Sequence, residues 1–538
     1  MILALLHACA PVDPPAPAVA PTLVSLDAPR LLRRMSLDLR GELPSVAELD
    51  AVEADPTRLD ALRDAMLEDP RLEARLVELF AERFLTLLDV YEVKHYDYHL
   101  GPEDEYRFER AVGEEPLRIM AYAAMHDLPW SEIVTGDWTM ADEMLASIWP
   151  VTYPEGATGW QVSHYTDGRP AAGVLATNGL WWRYVTNPSN MNRGRAAAIE
   201  RLFLCEDVLS RPVSFSASVT LATGTDDAIR TNEACIACHS SVDPLAAALF
   251  GFYWYTQYNA AEMTTYHPER ETLAHLDTYL GVEPAWFGTP LAGLADLGTH
   301  VAADHRFERC AAESAVEMLW RRSVTTDDFD DVEAIRARFV AGGLSYRSLL
   351  ADVTDAPAYR AGSLGAAADD ATDARERTER MMTAPLLASS VAGLTGFAWT
   401  WSGADQLAND VGGYRTLAGG VDGENVTAPQ SDPGLTWALA VKRLAEGAAD
   451  WSVRTELAGG PDGEGLLHYV AAEDRPGDAA FTQELDELYW RLYARRADAA
   501  WRTSAETLWS AAAEGRDAQG AWIVLVSAMI RDPDFVGY

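Results

Sequence analysis

The 538-residue chain has little of several features that define common protein classes. Lysine occurs only at Lys94 and Lys442, so nearly all of the 43 basic residues are arginine. They are set against 82 acidic residues, which gives a net charge of −39. Such a surface repels phosphate backbones and anionic lipid headgroups, so the composition argues against binding to nucleic acid or to the surface of a membrane.

Long apolar runs and common catalytic signatures are also missing. No apolar run approaches the roughly 18 residues that a membrane span needs, and the run 521–530 predicts a buried helix instead. The chain has no Gly-Xaa-Ser-Xaa-Gly elbow, no phosphate-binding loop and no dinucleotide fingerprint. Disorder throughout is excluded, because the chain is 48% hydrophobic and carries 17 Trp, 20 Tyr and 14 Phe.

Cysteine is scarce, and its placement is the most informative feature of the sequence. The chain has five, at Cys9, Cys205, Cys235, Cys238 and Cys310. Two of them stand in Cys-Ile-Ala-Cys-His, with the histidine at position 239. With Cys at 5 and His at 11 of 538 positions, chance would produce roughly 0.001 such matches in a chain of this length.

This Cys-Xaa-Xaa-Cys-His spacing is that of a covalent c-type haem site. Cys235 and Cys238 lie one helical turn apart, so both thiols can reach the vinyl groups of one porphyrin, and His239 would be the proximal iron ligand. Two other interpretations stay open, namely a local disulfide between the two cysteines and a zinc site completed by ligands from elsewhere in the chain. Haem c is the leading prediction.

A haem site needs further groups around the iron. A backbone carbonyl near Pro244 is predicted to accept the Nδ1–H of His239, and the apolar residues 245–250 and 252–255 are predicted to form a low-dielectric wall. For the sixth ligand we favour Met263, the nearest thioether downstream.

His267 and His275 are alternatives for the sixth ligand in the same region. A methionine would raise the reduction potential, whereas a second histidine would lower it. An open sixth position would permit peroxide chemistry.

The N-terminus resembles a lipoprotein signal. Residues 6–9, Leu-His-Ala-Cys, resemble the box at which bacterial lipoprotein signals are cut before a lipidated cysteine, here Cys9. The Pro-rich residues that follow, 11–21, are typical of a flexible tether. The alternative is a disordered start with an incidental cysteine. The lipoprotein interpretation predicts a periplasmic or cell-surface protein that touches the membrane only through its lipid anchor, in the compartment where haem c is attached.

The chain is predicted to be mainly α-helical and multidomain, with the haem-motif domain in its middle. A helix from Ala28 to Gly41 and a capping box from Ser45 to Glu48 are examples of the local signals. The predicted units are a signal and tether at 1–27, an N-terminal helical domain at 28–150, cytochrome-like domains at 151–360, a linker at 361–372 and a C-terminal helical domain at 373–538.

A weak internal repeat is also visible. The first copy begins with Trp320-Arg321-Arg322 and ends with Ala356-Pro357-Ala358-Tyr359. The second begins with Trp490-Arg491 and ends with Asp532-Pro533-Asp534-Phe535. A fainter third copy begins with Leu32-Arg33-Arg34 and ends with Asp69-Pro70. Each set indicates helices followed by a terminal proline. A duplicated helical module and a chance likeness of common helix ends both stay open.

Several runs resemble the large secreted cytochrome-like proteins of planctomycetes and myxobacteria. The runs are Arg30 to Gly41, Gly173 to Ala176, Asn187 to Arg195, Leu204-Cys205, Cys235 to Leu245, Phe307 to Cys310 and Gly342 to Leu350. Together they cover roughly residues 28–360, and the block 373–538 is matched only loosely. The resemblance implies secretion, a helical architecture and a c-type haem, and it identifies no substrate.

The resemblance also implies that Cys205 and Cys310 occur together. In an oxidising compartment they would form a disulfide between the segments before and after the haem motif. Closing a loop of about a hundred residues would contribute about 4 kcal/mol by the chain-entropy account.

Two other constellations are weaker. His95 and His99 have a spacing compatible with a metal pair on a helix, but an aromatic-rich helix surface is the favoured interpretation. The pairs Trp181-Trp182 and Trp399/Trp401 could stack on sugars, although core packing is favoured for them.

The sequence therefore predicts an exported c-type cytochrome-like protein with one covalent haem that acts in electron transfer with a redox partner. One alternative is a haem-free surface binding or scaffolding lipoprotein, with polysaccharide as a candidate ligand. The other is a haem enzyme of the peroxidase type.

Overall fold

A computed structural model describes most of the chain. The described residues are 23–212, 229, 231–253, 259–276, 279–364, 379–401, 403–408, 414–459 and 465–538. Cys9 and the predicted signal and tether, apart from residues 23–27, lie outside them, as do residues 254 and 255 of the predicted haem wall.

The protein is mainly helical, as the sequence predicts. The α-helices of the described part are Ala28–Arg40, Val46–Ala54, Leu59–Leu67, Arg71–Phe84, Glu105–Met125, Glu132–Thr135, Glu143–Ile148, Asn178–Arg183, Arg193–Leu204, Glu233–Ala247, Ala260–Thr264, Leu294–Ala303, His305–Trp320, Phe329–Ala341, Tyr346–Asp355, Pro357–Arg360, Ala384–Thr395, Tyr414–Leu417, Leu435–Gly459, Ala479–Tyr493, Ala499–Ala513, Ala518–Ile530 and Pro533–Val536. None of them is long and apolar enough to cross a bilayer.

The remaining regular structure is short. Single turns of 3-10 helix are Pro56–Arg58, His95–Tyr98, Pro102–Asp104, Gly173–Ala176, Val208–Ser210 and Thr326–Asp328, and a longer one is Pro268–His275. Four antiparallel strand pairs are Leu23–Ser25 with Ala361–Leu364, Thr139–Ala141 with Gln161–Ser163, Ala285–Trp286 with Thr289–Pro290, and Thr400–Trp401 with Ala404–Asp405. The first pair takes up the start of the predicted linker, so residues 361–364 are strand and not linker.

Local signals place several helices correctly. The first helix runs from Ala28 to Arg40 and ends at Gly41, whose φ of 70° is the left-handed conformation that glycine adopts at low cost. Ser45 and Glu48 form the complete capping box at the start of the second helix. The apolar run near the C-terminus is the buried part of Ala518–Ile530.

The hydrophobic cores do not follow the predicted domain boundary at residue 150. One large cluster of buried side chains draws on residues 31–359 and also includes Trp490 and Ala494. A second cluster comes from residues 382–536 with Leu37, and a third, aromatic cluster lies around Trp149 and Trp182. The helices before and after residue 150 therefore share one core.

The weak internal repeat corresponds to a repeated arrangement of helices. The middle module (305–360) and the C-terminal module (479–536) each consist of three helices and a final short helix that begins with proline. In both, the first helix ends at a non-glycine residue in the left-handed conformation, Arg321 at φ 56° and Ala494 at φ 51°. The N-terminal segment 28–84 has the same order, since its first helix ends at Gly41 and its fourth follows Pro70. These shared features favour a repeated module over a chance likeness.

The first helix joins the ends of the two later modules. Arg34 donates to the carbonyl of Tyr359 at 2.7 Å, and Arg33 donates to the carbonyl of Phe535 at 2.6 Å. Asp38, which is fully buried, accepts hydrogen bonds from the hydroxyls of Tyr359 at 2.9 Å and Tyr538 at 2.8 Å.

Arg380 completes this buried network with an ion pair to Asp38 at 3.1 Å. We refer to Asp38, Arg34, Arg380, Tyr359 and Tyr538 as the Asp38 network. Both oxygens of the Asp38 carboxylate therefore have hydrogen-bond partners.

Candidate cofactor site

The Cys-Xaa-Xaa-Cys-His element lies in the outward half of one helix, Glu233–Ala247, which we call the motif helix. Asn232 caps its start by accepting from the backbone N–H of Ala234 at 2.9 Å. Residues 233–241 are half-buried or exposed, whereas residues 242–247 are buried except for a partly exposed Pro244. The buried half packs against the helix Arg193–Leu204 and the strand Ala285–Trp286. The core therefore anchors one half of the helix and leaves the motif at the surface.

The two motif cysteines are both free thiols. Cys235 and Cys238 are half-buried and stand at i and i+3, so they lie on the same side of the helix. The local disulfide that one alternative requires is not formed in this structure. Within the described ranges no group of three or more His, Cys, Asp or Glu side chains is arranged to hold a metal, so no zinc site is assembled there.

His239 is oriented by a carboxylate. Its Nδ1 lies 2.8 Å from Oδ1 of Asp243, one helical turn further on. The sequence-based prediction of a carbonyl near Pro244 is wrong, because Pro244 continues the helix and the i+4 position puts the Asp243 side chain beside the ring. The site therefore has the histidine–carboxylate pair that commonly fixes the orientation of a metal-binding imidazole and increases its basicity.

Asp243 is in turn held by an arginine from another helix. Arg193 binds it with two hydrogen bonds, Nε to Oδ1 at 2.7 Å and Nη2 to Oδ2 at 3.0 Å. Burial alone would raise the pKa of Asp243, but the hydrogen bonds from His239 and Arg193 hold it below its ordinary value. The carboxylate is thus ionised at neutral pH and fixed from both sides.

The other ring nitrogen of His239, Nε2, is not engaged by Asp243. The side chain is 29% exposed, and in the described part of the chain Nε2 has no hydrogen-bond partner. Because Nδ1 is engaged by Asp243, Nε2 is the nitrogen that could bind a metal. The residues present therefore fit a covalent haem: two thiols and one oriented imidazole on a single exposed helical turn.

Glu200 is a second carboxyl that sequence reasoning missed. It lies on the helix Arg193–Leu204, which packs against the motif helix, and it is fully buried. Within the described residues neither carboxyl oxygen has a hydrogen-bond partner, and burial raises the pKa of Glu200 to about 7. The only sequence signal is a glutamate among the apolar residues of this helix.

The predicted sixth ligands lie in different surroundings. Met263 is buried in the aromatic cluster around Trp182, separately from the core that contains Val242 and Leu245 of the motif helix. Its role as an iron ligand stays a prediction.

Both alternative histidines are engaged by acidic residues or carbonyls. His267 has Nδ1 at 3.2 Å from Glu269 and Nε2 at 3.2 Å from the carbonyl of Glu262. Nε2 of His275 lies 3.2 Å from Glu283. His267 or His275 could bind the iron only if these contacts were broken.

The apolar run that follows the motif belongs to the main core. Residues 245–250 and Phe252 are all buried in it, and the ring of Phe250 meets that of Tyr279 edge-on at 5.8 Å. The run therefore anchors the motif helix, and the prediction that it forms the wall of a haem pocket is corrected accordingly.

Cys205 and Cys310 form a disulfide, as the resemblance implied. Their Cα atoms are 5.1 Å apart and 105 positions separate them in the sequence. The bond joins the helix that supports the motif helix to the first helix of the middle module. Arg83 lies over it, with Nη2 at 2.9 Å from Sγ of Cys205 and 3.2 Å from Sγ of Cys310.

The weaker constellations lie in different surroundings. His95 is buried in a 3-10 turn with Nδ1 3.8 Å from Glu105, and His99 has a φ of 62° just after that turn. Trp181 and Trp182 are buried in the cores, as favoured. Trp399 packs partly against the second core, whereas Trp401 is 59% exposed.

Comparison with known proteins gives one match. Residues 26–151 match the family described as "Protein of unknown function (DUF1592)". No curated protein and no solved structure matches the chain. The match covers the helices from Ala28–Arg40 to Glu143–Ile148, and it does not include the motif helix.

Proposed function

We propose that the protein is an exported c-type cytochrome-like protein that carries one covalent haem and acts in electron transfer. The single observation that carries the proposal is the motif turn itself: two free thiols and an imidazole whose Nδ1 is fixed by Asp243 while Nε2 stays open. These are the groups that covalent attachment and proximal ligation need.

Each residue has a separate task in this proposal. Cys235 and Cys238 would form the two thioether bonds, and Nε2 of His239 would bind the iron. Asp243 and Arg193 position the imidazole. When bound, the haem would supply a one-electron couple between ferric and ferrous iron.

The exposed position of the motif suits this role. A covalently held cofactor does not need a deep pocket to stay bound, and the partly exposed Ile236 and Cys235 lie on the surface that a haem would cover. A haem edge near the surface is also within reach of a redox partner.

The test is a pyridine haemochrome spectrum of the full chain, made in a host that exports it and attaches haem c. The wild type is expected to carry one haem, and Cys235→Ala together with Cys238→Ala is expected to abolish covalent attachment. Ser240→Ala, an exposed change on the same helical turn, is the matched control and is expected to leave it intact. A wild type without covalent haem would refute the proposal.

One observation favours a second candidate, a peroxidase-type haem enzyme. A carboxylate on Nδ1–H makes the proximal imidazole more basic and so a stronger donor to ferric iron. Met263→Leu separates the two candidates. Altered oxidised and reduced spectra would identify Met263 as sixth ligand and support electron transfer, whereas unchanged spectra would remove it as ligand and favour the enzyme.

The compartment is part of the proposal. We infer that Cys9 is lipidated and anchors the protein outside the cytoplasm, where haem c is attached. Metabolic labelling with a fatty acid is expected to mark the wild type and not Cys9→Ala. Equal labelling of both would contradict the anchor.

A further inference from the structure

A cavity lined by several arginines lies away from the motif helix, beside the disulfide. Its volume is about 470 Å³, within the range of small-molecule sites. It opens between the helices that carry Arg83, Arg201 and Arg321 on one side and the segment 427–431 on the other.

Arginine is the commonest charged residue of its wall. Five arginines and three glutamates line it, and two of the arginines, Arg322 and Arg380, pair with Asp328 and Asp38 outside the lining. The arginines are Arg83, Arg201, Arg321, Arg322 and Arg380.

Most of these arginines already have an acidic partner. Arg321 pairs with Glu82 at 2.7 Å, and Arg83 lies 3.6 Å from Glu317. Arg201 differs, because in the described part of the chain its guanidinium has no ion pair and donates only to the hydroxyl of Tyr184 at 2.8 Å.

Arg83 adds a second unsatisfied donor. Its Nε is buried and finds no hydrogen-bond partner among the described residues, although its Nη2 donates to the carbonyl of Arg201 and to the disulfide sulfurs. Burial lowers the pKa of this guanidinium. A bound anion would satisfy both Arg83 and Arg201, since a guanidinium binds a carboxylate through paired hydrogen bonds.

The rest of the wall indicates an organic ligand. Leu85, Leu202, Met318, Met381 and Pro429 also line the cavity, so an uncharged body could contact one side while its acid group meets the arginines. A bare inorganic ion would leave this apolar surface uncovered.

We propose that this cavity binds a small organic anion that carries at least one carboxylate, with Arg201 and Arg83 as the groups that hold the acid. The site is separate from the motif helix and does not depend on haem. Glu379, an exposed residue of the rim, weakens binding by repelling the ligand.

The experiment is calorimetric titration of the full chain with D-glucuronate and with citrate. D-glucose serves as a neutral control that matches glucuronate except for the acid group. We expect saturable binding of at least one anion, no binding of glucose, and weaker binding as the salt concentration rises.

Two variants with opposite expected effects test the geometry. Arg201→Gln should weaken binding about tenfold, the effect of losing one charge-assisted hydrogen bond. Glu379→Gln should tighten it. Arg58→Gln, an exposed change outside the cavity, should leave it unchanged.

The proposal is overturned if neither anion binds saturably, if glucose binds as well as glucuronate, or if Arg201→Gln binds like the wild type. Arg201 is half-buried and bonds Tyr184, so its variant could unfold, and a thermal melt therefore accompanies each titration. If Arg201→Gln unfolds, the test rests on Glu379→Gln alone. An anion affinity of Glu379→Gln equal to that of the wild type then contradicts the proposal.

Discussion

Two aspartates of this protein, Asp38 and Asp243, are each held by arginine, yet their surroundings differ in one respect. Asp38 is fully buried, and its partners are two tyrosine hydroxyls and Arg380, all of which are engaged within the network. Asp243 binds Arg193 on one side and His239 on the other, and His239 keeps a second nitrogen without a partner in the described part of the chain.

The difference distinguishes a buried network from a site that fits the proposed function. Buried polar groups bonded to one another fix the relative positions of the elements that supply them, here the first helix and the ends of two modules. In the proposed function, Asp243 and Arg193 would instead orient His239 toward a cofactor. Substitutions at the two aspartates should therefore affect different properties of the protein.

The largest effect is expected for Asp38→Ala. It leaves the buried guanidinium of Arg380 without its carboxylate, and breaking such a pair typically costs about 3–5 kcal/mol. Urea unfolding at pH 7 should show this loss in the free energy of unfolding. Asp331→Ala, an exposed control, should change it by less than about 0.5 kcal/mol. A loss of the same small size at Asp38 would show that the network is not structural.

An effect on stability of intermediate size is expected for Glu200→Gln beside the motif helix, and this substitution should stabilise the protein. Folding raises the pKa of Glu200 from 4.5 to about 7, so between these values the unfolded chain ionises first and stability falls as pH rises. Above pH 7 the penalty is complete at about 3 kcal/mol, and the variant removes it.

Unfolding experiments at pH 4 and pH 8 check this sign. Glu200→Gln should match the wild type at pH 4 and exceed its stability at pH 8. The exposed Glu103→Gln is the control and should show no such difference between the two pH values. Equal stability of Glu200→Gln and wild type at pH 8 would contradict the assignment of a buried, unpartnered carboxyl.

The smallest effect on stability is expected for Asp243→Asn. The side chain keeps its shape, and the ion pair with Arg193 is partly exposed, so the loss at pH 7 should be below about 1.5 kcal/mol. The haem-loaded variant should instead show a higher reduction potential, because His239 no longer faces a negative charge. A large loss of stability with an unchanged potential would place Asp243 among the structural residues.

Local sequence signals predict much of the helical structure and the centre of the site. The capping box at Ser45, the glycine that ends the first helix and the Cys-Xaa-Xaa-Cys-His turn all act within four residues, and each is present as predicted. Asp243 is also within four residues of His239, so its role could have been recognised from helical spacing.

The contacts between distant segments could not be predicted in this way. Arg193 lies 50 positions before Asp243, and Tyr538 lies 500 positions after Asp38. Nothing in the local sequence around either residue specifies its partner, because the pairing is set by how whole helices pack. The core shared by the helices before and after residue 150 could not be predicted for the same reason, since loop composition does not report which helices share a core.

The central claim is that the motif turn carries a covalent haem, and a pyridine haemochrome spectrum combined with intact mass tests it most directly. The full chain, exported in a host with haem-maturation machinery, is expected to give a c-type haemochrome and a mass increased by one haem, with both signals lost when Cys235 and Cys238 are replaced by alanine. A protein of unmodified mass without a haemochrome, or one that keeps its haem without these cysteines, would contradict the account.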